Sequence, residues 1–174
     1  MRSLPNESIT AIGLDMGYGG RDLAVAYVGR YDVRKEVLML VDHAESDSGM
    51  AKMVARIKEL HLRWGASVQI ASYIGGQEYE VVRLLAEKRV NVIAMPAKVN
   101  KYLRSVRTVA AWNDARILVP ECPWGDDLVK EASEFTGSEK SEDNRVDALV
   151  SLWDFVAENR IKLGTTLAWG RTRI

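Results

Sequence analysis

Aspartates near both ends of the sequence stand where a carboxylate could do chemistry. Asp15 follows a short apolar, partly β-branched run at 8–14 and precedes the glycine-rich segment 17–20. This pattern predicts a buried strand that ends in a loop, with the carboxylate at the strand end. A carboxylate in such a place needs a hydrogen bond, an opposite charge or a metal ion. Asp15 is therefore either the cap of a glycine turn or a ligand.

Two further aspartates, Asp143 and Asp147, stand one turn apart at the start of a long predicted helix. At about 100° per residue, they and Asp154 fall along one edge of an apolar arc. The arc comprises Val146, Leu149, Val150, Trp153 and Val156. Acids in a first turn stabilise the helix dipole, which explains Asp143 better than Asp147. Alternatively, two acids at the edge of the core, opposite a strand-end acid, would bind divalent cations through oxygen ligands.

The composition narrows the chemistry further. The 174 residues suit one domain, and the hydrophobic fraction of 47% is typical of a globular protein. No apolar run approaches the roughly 20 residues that cross a bilayer. The only cysteine is Cys122 and the only histidines are His43 and His61, which argues against thiolate-rich or histidine-rich metal sites. A metal in this protein would be held mainly by carboxylates.

The net charge of +0, from 24 basic and 24 acidic residues, conceals a strong segregation. Residues 81–116 include eight basic and two acidic residues, whereas 121–147 include nine acidic and three basic residues. Four cationic residues recur at three-residue steps: Lys98, Lys101, Arg104 and Arg107. They form either an ordinary solvated helix surface or a stripe that follows a phosphate backbone.

The order of predicted elements places these residues on an α/β fold. Strands are predicted at 8–14, 23–29, 37–43, 67–71 and 91–95, with a short extended piece at 117–119. Helices are predicted at 50–64, 77–89, 98–113, 127–135 and 143–160. A short link favours antiparallel pairing among the first three strands, and helical crossovers make the later ones parallel. We therefore expect a mixed sheet flanked by helices.

Four segments in this order resemble the nuclease domain of the large terminase subunit of tailed phages. They are 13–22 (GLDMGYGGRD), 68–77, 98–120 and 143–149 (DNRVDAL). The resemblance extends from about residue 9 to about residue 156. It implies a ribonuclease H-like nuclease domain over 1–160, with a peripheral tail at 161–174.

The resemblance also implies an activity. Asp15 would bridge two Mg²⁺ or Mn²⁺ ions, and Asp143 and Asp147 would complete the cluster for phosphodiester hydrolysis. The substrate would be concatemeric double-stranded phage DNA, cut during genome packaging in the cytoplasm of the bacterial host. The implied partners are DNA, a terminase ATPase domain, the small terminase subunit and the portal, with no membrane. The sequence has no Gly-x-x-x-x-Gly-Lys-Ser/Thr motif, so the ATPase motor is expected elsewhere.

One departure from the terminase pattern weakens this expectation. The family usually has an acid at the end of the fourth strand, and here Ala71 and Ser72 stand there. Glu78, in the following helix, is a candidate replacement. Two rivals therefore stay open. One is a resolvase-type nuclease acting on branched DNA, and the other is a non-catalytic, DNA-binding ribonuclease H-like relative.

Overall fold

Six strands and five helices make up the part of the chain that the computed structural model describes, residues 8–16, 23–65, 69–74, 78–90, 92–98, 100–137 and 143–169. The strands are β1 (Ser8–Asp15), β2 (Ala24–Asp32), β3 (Val37–Ser46), β4 (Gln69–Ile74), β5 (Val92–Pro96) and β6 (Ile117–Leu118). The helices are α1 (Met50–Trp64), α2 (Glu78–Glu87), α3 (Lys101–Asn113), α4 (Pro123–Glu134) and α5 (Asn144–Trp169). Within these ranges, no helix is both long and apolar enough to span a membrane.

The strands form one mixed sheet in the order β5-β4-β1-β2-β3-β6. β1, β2 and β3 pair antiparallel, and a turn of only four residues, 33–36, joins β2 to β3. β4 pairs parallel with β1, β5 with β4, and β6 with β3. The predicted fold class, three antiparallel strands followed by parallel strands and flanked by helices, is confirmed.

Alternating side chains divide the core between the two faces of the sheet. On β2, Val25, Tyr27 and Tyr31 belong to the core beneath α3, α4 and α5. Ala24 and Ala26, on the opposite face, belong to the core beneath α1 and α2. α5 crosses β1, β2 and β4, and α3 and α4 pack beside it. The face that α5 covers is therefore where its acids can approach strand ends.

Several predicted boundaries differ from the structure. The helix expected at 98–113 begins at Lys101, so Lys98 precedes it. The strand expected at 67–71 is β4, which begins later and continues past Ser72. The helix expected at 127–135 begins at Pro123, because proline fits the first turn, where its missing N–H costs nothing. The helix expected at 143–160 continues through residue 169. That extension contains no proline, and its single glycine is not enough to end a helix.

Candidate active site

The carboxylates of Asp143 and Asp147 meet at the side chain of Lys101, the first residue of α3. Lys101 Nζ donates to Asp143 Oδ1 and lies 2.9 Å from Asp147 Oδ2. The side chain of Asp143 is only 2% exposed, and that of Lys101 is 20% exposed. The two helix aspartates predicted from the sequence therefore come together around one positive charge at the edge of the core.

Arg145 ties the first turn of α5 to the sheet and to α4. Its guanidinium donates to both carboxylate oxygens of Glu45, at 2.9 and 3.0 Å, and to Glu131 on α4 at 3.1 Å. Glu131 Oε1 also accepts from the backbone N–H groups of Arg145 and Val146, at 2.8 and 3.0 Å. Such N–H groups have no partner within their own helix, so α4 supplies one. This network fixes the segment that carries the two aspartates.

Asp15 lies at the end of β1 on the face that α5 covers. Alternation places it on the same face as Ala11 and Gly13, and Ala11 belongs to the core beneath α5. Gly13 lies against the helix: a Cβ placed on it would be 2.4 Å from the carbonyl oxygen of Ala148 and 2.4 Å from Leu152 Cβ. Only glycine allows this close crossing, and Asp15 follows two residues later.

The start of α5 lies level with Asp15. Asp15 pairs with Val25 on β2, and Val25 pairs with Glu45 on β3. These three residues form one row across the sheet, which we call the Asp15 row. Because Glu45 binds Arg145, the first turn of α5 lies over this row. The sheet and the helix thus bring the strand-end acid and the helix acids to the same end of the domain.

The three predicted ligands do not form a closed metal-binding cluster. In the described part of the chain, no group of three or more His, Cys, Asp or Glu side chains is arranged to hold a metal ion. The structure joins Asp143 to Asp147 through Lys101 and places Asp15 on the same side of the sheet. The ammonium shared by the helix carboxylates nevertheless shows that this pair can accept a cation. Carboxylate oxygens are ligands that Mg²⁺ and Mn²⁺ prefer.

The pKa values of Asp147 and Lys101 are both raised, for different physical reasons. Burial raises the pKa of Asp147, and the hydrogen bond and charge of Lys101 offset this only in part. Desolvation lowers the pKa of Lys101, but its hydrogen bonds to Asp143 and Asp147 outweigh that effect and raise the pKa overall. Both groups therefore hold protons more tightly than they would in water.

Ala71 and Ser72, where the terminase pattern leads us to expect an acid, do not lie beside Asp15. In the parallel pairing of β1 with β4, Ala71 is level with Gly13 and Ser72 with Leu14. Ala71 has no exposed surface. Ser72, by alternation, points to the opposite face of the sheet. An acid at either position would therefore be buried or would face away from α5.

Tyr73 occupies the place level with Asp15, one step beyond the last paired residues of β4. Its hydroxyl donates to Asp154 Oδ2 at 2.5 Å. The guanidinium of Arg104 lies over its ring, 4.6 Å from the centroid. Asp154 is only 3% exposed, and its Oδ1 has no hydrogen-bond partner among the described residues. The strand position level with Asp15 thus carries an aromatic residue that is hydrogen-bonded to Asp154 of α5.

The four residues predicted to follow DNA divide into two pairs. Lys101 binds the helix aspartates, and Arg104 stacks on an aromatic ring of β4. Lys98 and Arg107 are exposed to solvent. Glu78, the candidate replacement ligand, has a side chain outside the part that the structure describes. The structure therefore leaves Lys98 and Arg107 as the members of the stripe that are open to a polyanion.

Comparison with known proteins identifies solved structures of similar fold. No protein-family model and no curated protein sequence matches the chain. The large terminase nuclease from thermophilic phage G20c with bound magnesium superposes with a TM-score of 0.67 and 16% identity, over 85% of this chain and 82% of that chain. The g2p nuclease domain from bacteriophage SPP1 with bound Mn gives 0.59 and 19%, over 86% of each chain. The fowlpox virus Holliday junction resolvase gives 0.51 and 11%, over 86% of this chain and 99% of that chain.

These superpositions define the class of fold. The mixed sheet with α5 across its centre is the architecture of ribonuclease H-like nuclease domains, including those of large terminase subunits. At this level of identity the likeness is one of fold, so the roles of individual residues depend on the geometry described above.

Proposed function

We propose that this chain is a metal-dependent endonuclease that hydrolyses phosphodiester bonds of DNA, with Asp15, Asp143 and Asp147 as its active-site carboxylates. The observation that carries the proposal is that the carboxylates of Asp143 and Asp147 both bind the ammonium of Lys101. The first turn of α5, where this occurs, lies over the Asp15 row. The fold supports it, because the G20c and SPP1 domains that share it are terminase nucleases.

In this proposal, Asp15, Asp143 and Asp147 would together hold two ions, Mg²⁺ or Mn²⁺. When bound, such ions polarise a phosphate oxygen and lower the pKa of a coordinated water. Arg145 holds the helix aspartates in position through its bonds to β3 and α4. Lys98 and Arg107 are exposed to solvent, and in this proposal they contact backbone phosphates. DNA binding should therefore weaken steeply as the salt concentration rises.

The biological substrate in this proposal is concatemeric double-stranded phage DNA, cut during genome packaging in the cytoplasm of the host bacterium. The partners would be a terminase ATPase domain, the small terminase subunit and the portal. Support comes from the superposition on the large terminase nucleases of phages G20c and SPP1. The motor would be supplied by another domain or chain, since the sequence lacks the phosphate-binding motif of such ATPases.

The test is nicking of supercoiled plasmid DNA in the presence of Mn²⁺. Asp15→Asn retains the size of the side chain but removes the charge that a metal needs, so it should abolish nicking. Asp114→Asn is the matched control, because Asp114 is an exposed residue at the end of α3. Equal nicking by wild type and Asp15→Asn would refute the assignment of Asp15.

A resolvase acting on branched DNA is a second candidate, favoured by the superposition on the fowlpox virus enzyme. Cleavage of a four-way junction in preference to a linear duplex of the same sequence would favour this reading. Equal or better cleavage of linear duplex would favour the terminase type.

A non-catalytic, DNA-binding relative is a third candidate, favoured by the absence of an acid from the strand end. The position of Tyr73 provides the test. Tyr73→Asp would place a carboxylate level with Asp15, whereas Tyr73→Phe removes only the hydroxyl. Cleavage gained by Tyr73→Asp but not by Tyr73→Phe, in a protein whose wild type does not cut, would show that one missing ligand accounts for the inactivity.

A further inference from the structure

Lys101 reaches the two helix aspartates because of its place on α3. Ser105 and Thr108, which are 2% and 4% exposed, lie four and seven residues after it and therefore share its helix face. That face packs against α5. Asn100 caps the helix: its Oδ1 accepts a hydrogen bond from the backbone N–H of Leu103 at 2.9 Å. This cap fixes where the helix begins. The helix therefore directs the stem of Lys101 toward α5.

The ion pair with Lys101 compensates the buried negative charge of Asp143. Asp143 is 2% exposed, and a carboxylate so deeply buried is strongly destabilising without an opposite charge. Lys101 supplies that charge and at the same time binds Asp147. It engages one oxygen of each carboxylate, and so takes the position that a metal ion bound to the same two oxygens would occupy.

We propose that the Lys101 ammonium is a built-in counterion that occupies the cation position between Asp143 and Asp147 until a divalent ion displaces it. This inference rests on the proposed function, in which those carboxylates hold the metal. A monovalent and a divalent cation cannot share the same two oxygens, because like charges in contact repel strongly in a partly buried site. Metal binding and the Lys101 ion pairs are therefore mutually exclusive.

Displacement requires no movement of α3. The lysine side chain has a flexible four-carbon stem, and 20% of its surface is already exposed. Rotation about the stem carries the ammonium to solvent while the backbone stays in place. The Lys101 ammonium then lies at the solvent-exposed edge of the same site, where it can bind a phosphate group.

The test compares Mn²⁺ binding by calorimetry for the wild type and three variants of the full chain. Lys101→Met removes the competing charge and keeps most of the stem, so it should bind Mn²⁺ about tenfold more tightly, the equivalent of one charge-assisted hydrogen bond. Lys101→Arg retains a cation and should bind close to the wild-type affinity. Lys130→Met removes the same charge from an exposed position on α4 and should change nothing.

The outcomes separate this inference from the proposed function. Tighter binding by Lys101→Met alone supports the counterion role, even if the wild type binds too weakly to measure. Equal or weaker binding by Lys101→Met, with clear binding by the wild type, overturns the role and leaves the metal site standing. Absence of Mn²⁺ binding in every variant refutes the metal site, and this inference falls with it.

Stability provides a second readout, because Lys101→Met removes the buried ion pair between Lys101 and Asp143. Without metal, this variant should unfold at a lower temperature than the wild type, and saturating Mn²⁺ should raise its unfolding temperature more than it raises that of the wild type. If the variant folds only with Mn²⁺, the metal has replaced the ammonium as proposed. A variant that does not fold even in saturating Mn²⁺ would show that Lys101 is needed for another reason, and would overturn the proposal.

Discussion

Gly13 sets how closely α5 approaches β1, and Gly13→Ala should separate them. The added Cβ would lie 2.4 Å from the carbonyl oxygen of Ala148 and 2.4 Å from Leu152 Cβ. Ordinary contacts between non-bonded heavy atoms are about 3.5–4.0 Å. Because a backbone carbonyl and a Cβ atom cannot rotate away, the helix must shift from the strand by about 1 Å.

The expected cost follows from this geometry. Overpacking a well-packed core typically costs about 1–3 kcal/mol, and a clash with backbone atoms belongs at the upper end. We therefore expect Gly13→Ala to lower the free energy of unfolding by about 3 kcal/mol. For a chain of this size, each kcal/mol lowers the unfolding temperature by roughly 2–4 °C, so the expected decrease is roughly 6–12 °C.

Gly29→Ala is the matched control. Its added Cβ would lie 2.6 Å from Leu38 Cδ1 and 2.8 Å from Leu152 Cδ2, the ends of two flexible side chains. These atoms can move by rotation, so this variant should cost about 1 kcal/mol or less. Urea unfolding followed by tryptophan fluorescence measures both variants. A loss in Gly13→Ala no larger than that in Gly29→Ala would refute the close crossing of α5 over β1.

Two further predictions concern charges on α5. Arg145→Met removes the guanidinium from the partly buried Glu45 and Glu131, so the free energy of unfolding measured in urea should fall by about 3 kcal/mol. A loss below about 1 kcal/mol would contradict the anchoring role. Burial raises the pKa of Asp154 from 3.8, although a hydrogen bond from Tyr73 opposes this, so the folded state holds the proton more tightly than the unfolded state. The contribution of Asp154 to stability is then greatest at low pH and is lost as pH rises above about 4. Asp154→Asn should therefore gain stability relative to the wild type as the pH rises above about 4, and a difference that does not change with pH would contradict the burial of this charge.

The sequence could predict most of the elements because local patterns specify them. The apolar arc of α5 is visible at helical spacing, and its members are buried as expected: Val146, Leu149, Val150, Trp153 and Val156. Pairing between distant segments has no such local signal. β6 is only two residues long, and its parallel pairing with β3 depends on the tertiary fold.

The sequence predicted the aspartates of the candidate site but not the residues that contact them. The spacing of Asp143 and Asp147 indicates that they share a helix edge, but nothing near them specifies that Lys101 would lie between them. Glu131 reads as one acid among many on α4, yet it supplies the acceptor for the first turn of α5. The strand-end position level with Asp15 depends on the register of β4, which local sequence does not specify. For that reason Tyr73 was not among the predicted site residues.

The central claim is that Asp15, Asp143 and Asp147 hold the divalent ions of a nuclease. Anomalous diffraction from a crystal of the protein soaked in Mn²⁺ tests it most directly. The account predicts manganese peaks in contact with these three carboxylates and a Lys101 side chain turned away from them. Manganese bound elsewhere, or no peak at these carboxylates with Lys101 still between Asp143 and Asp147, would contradict it.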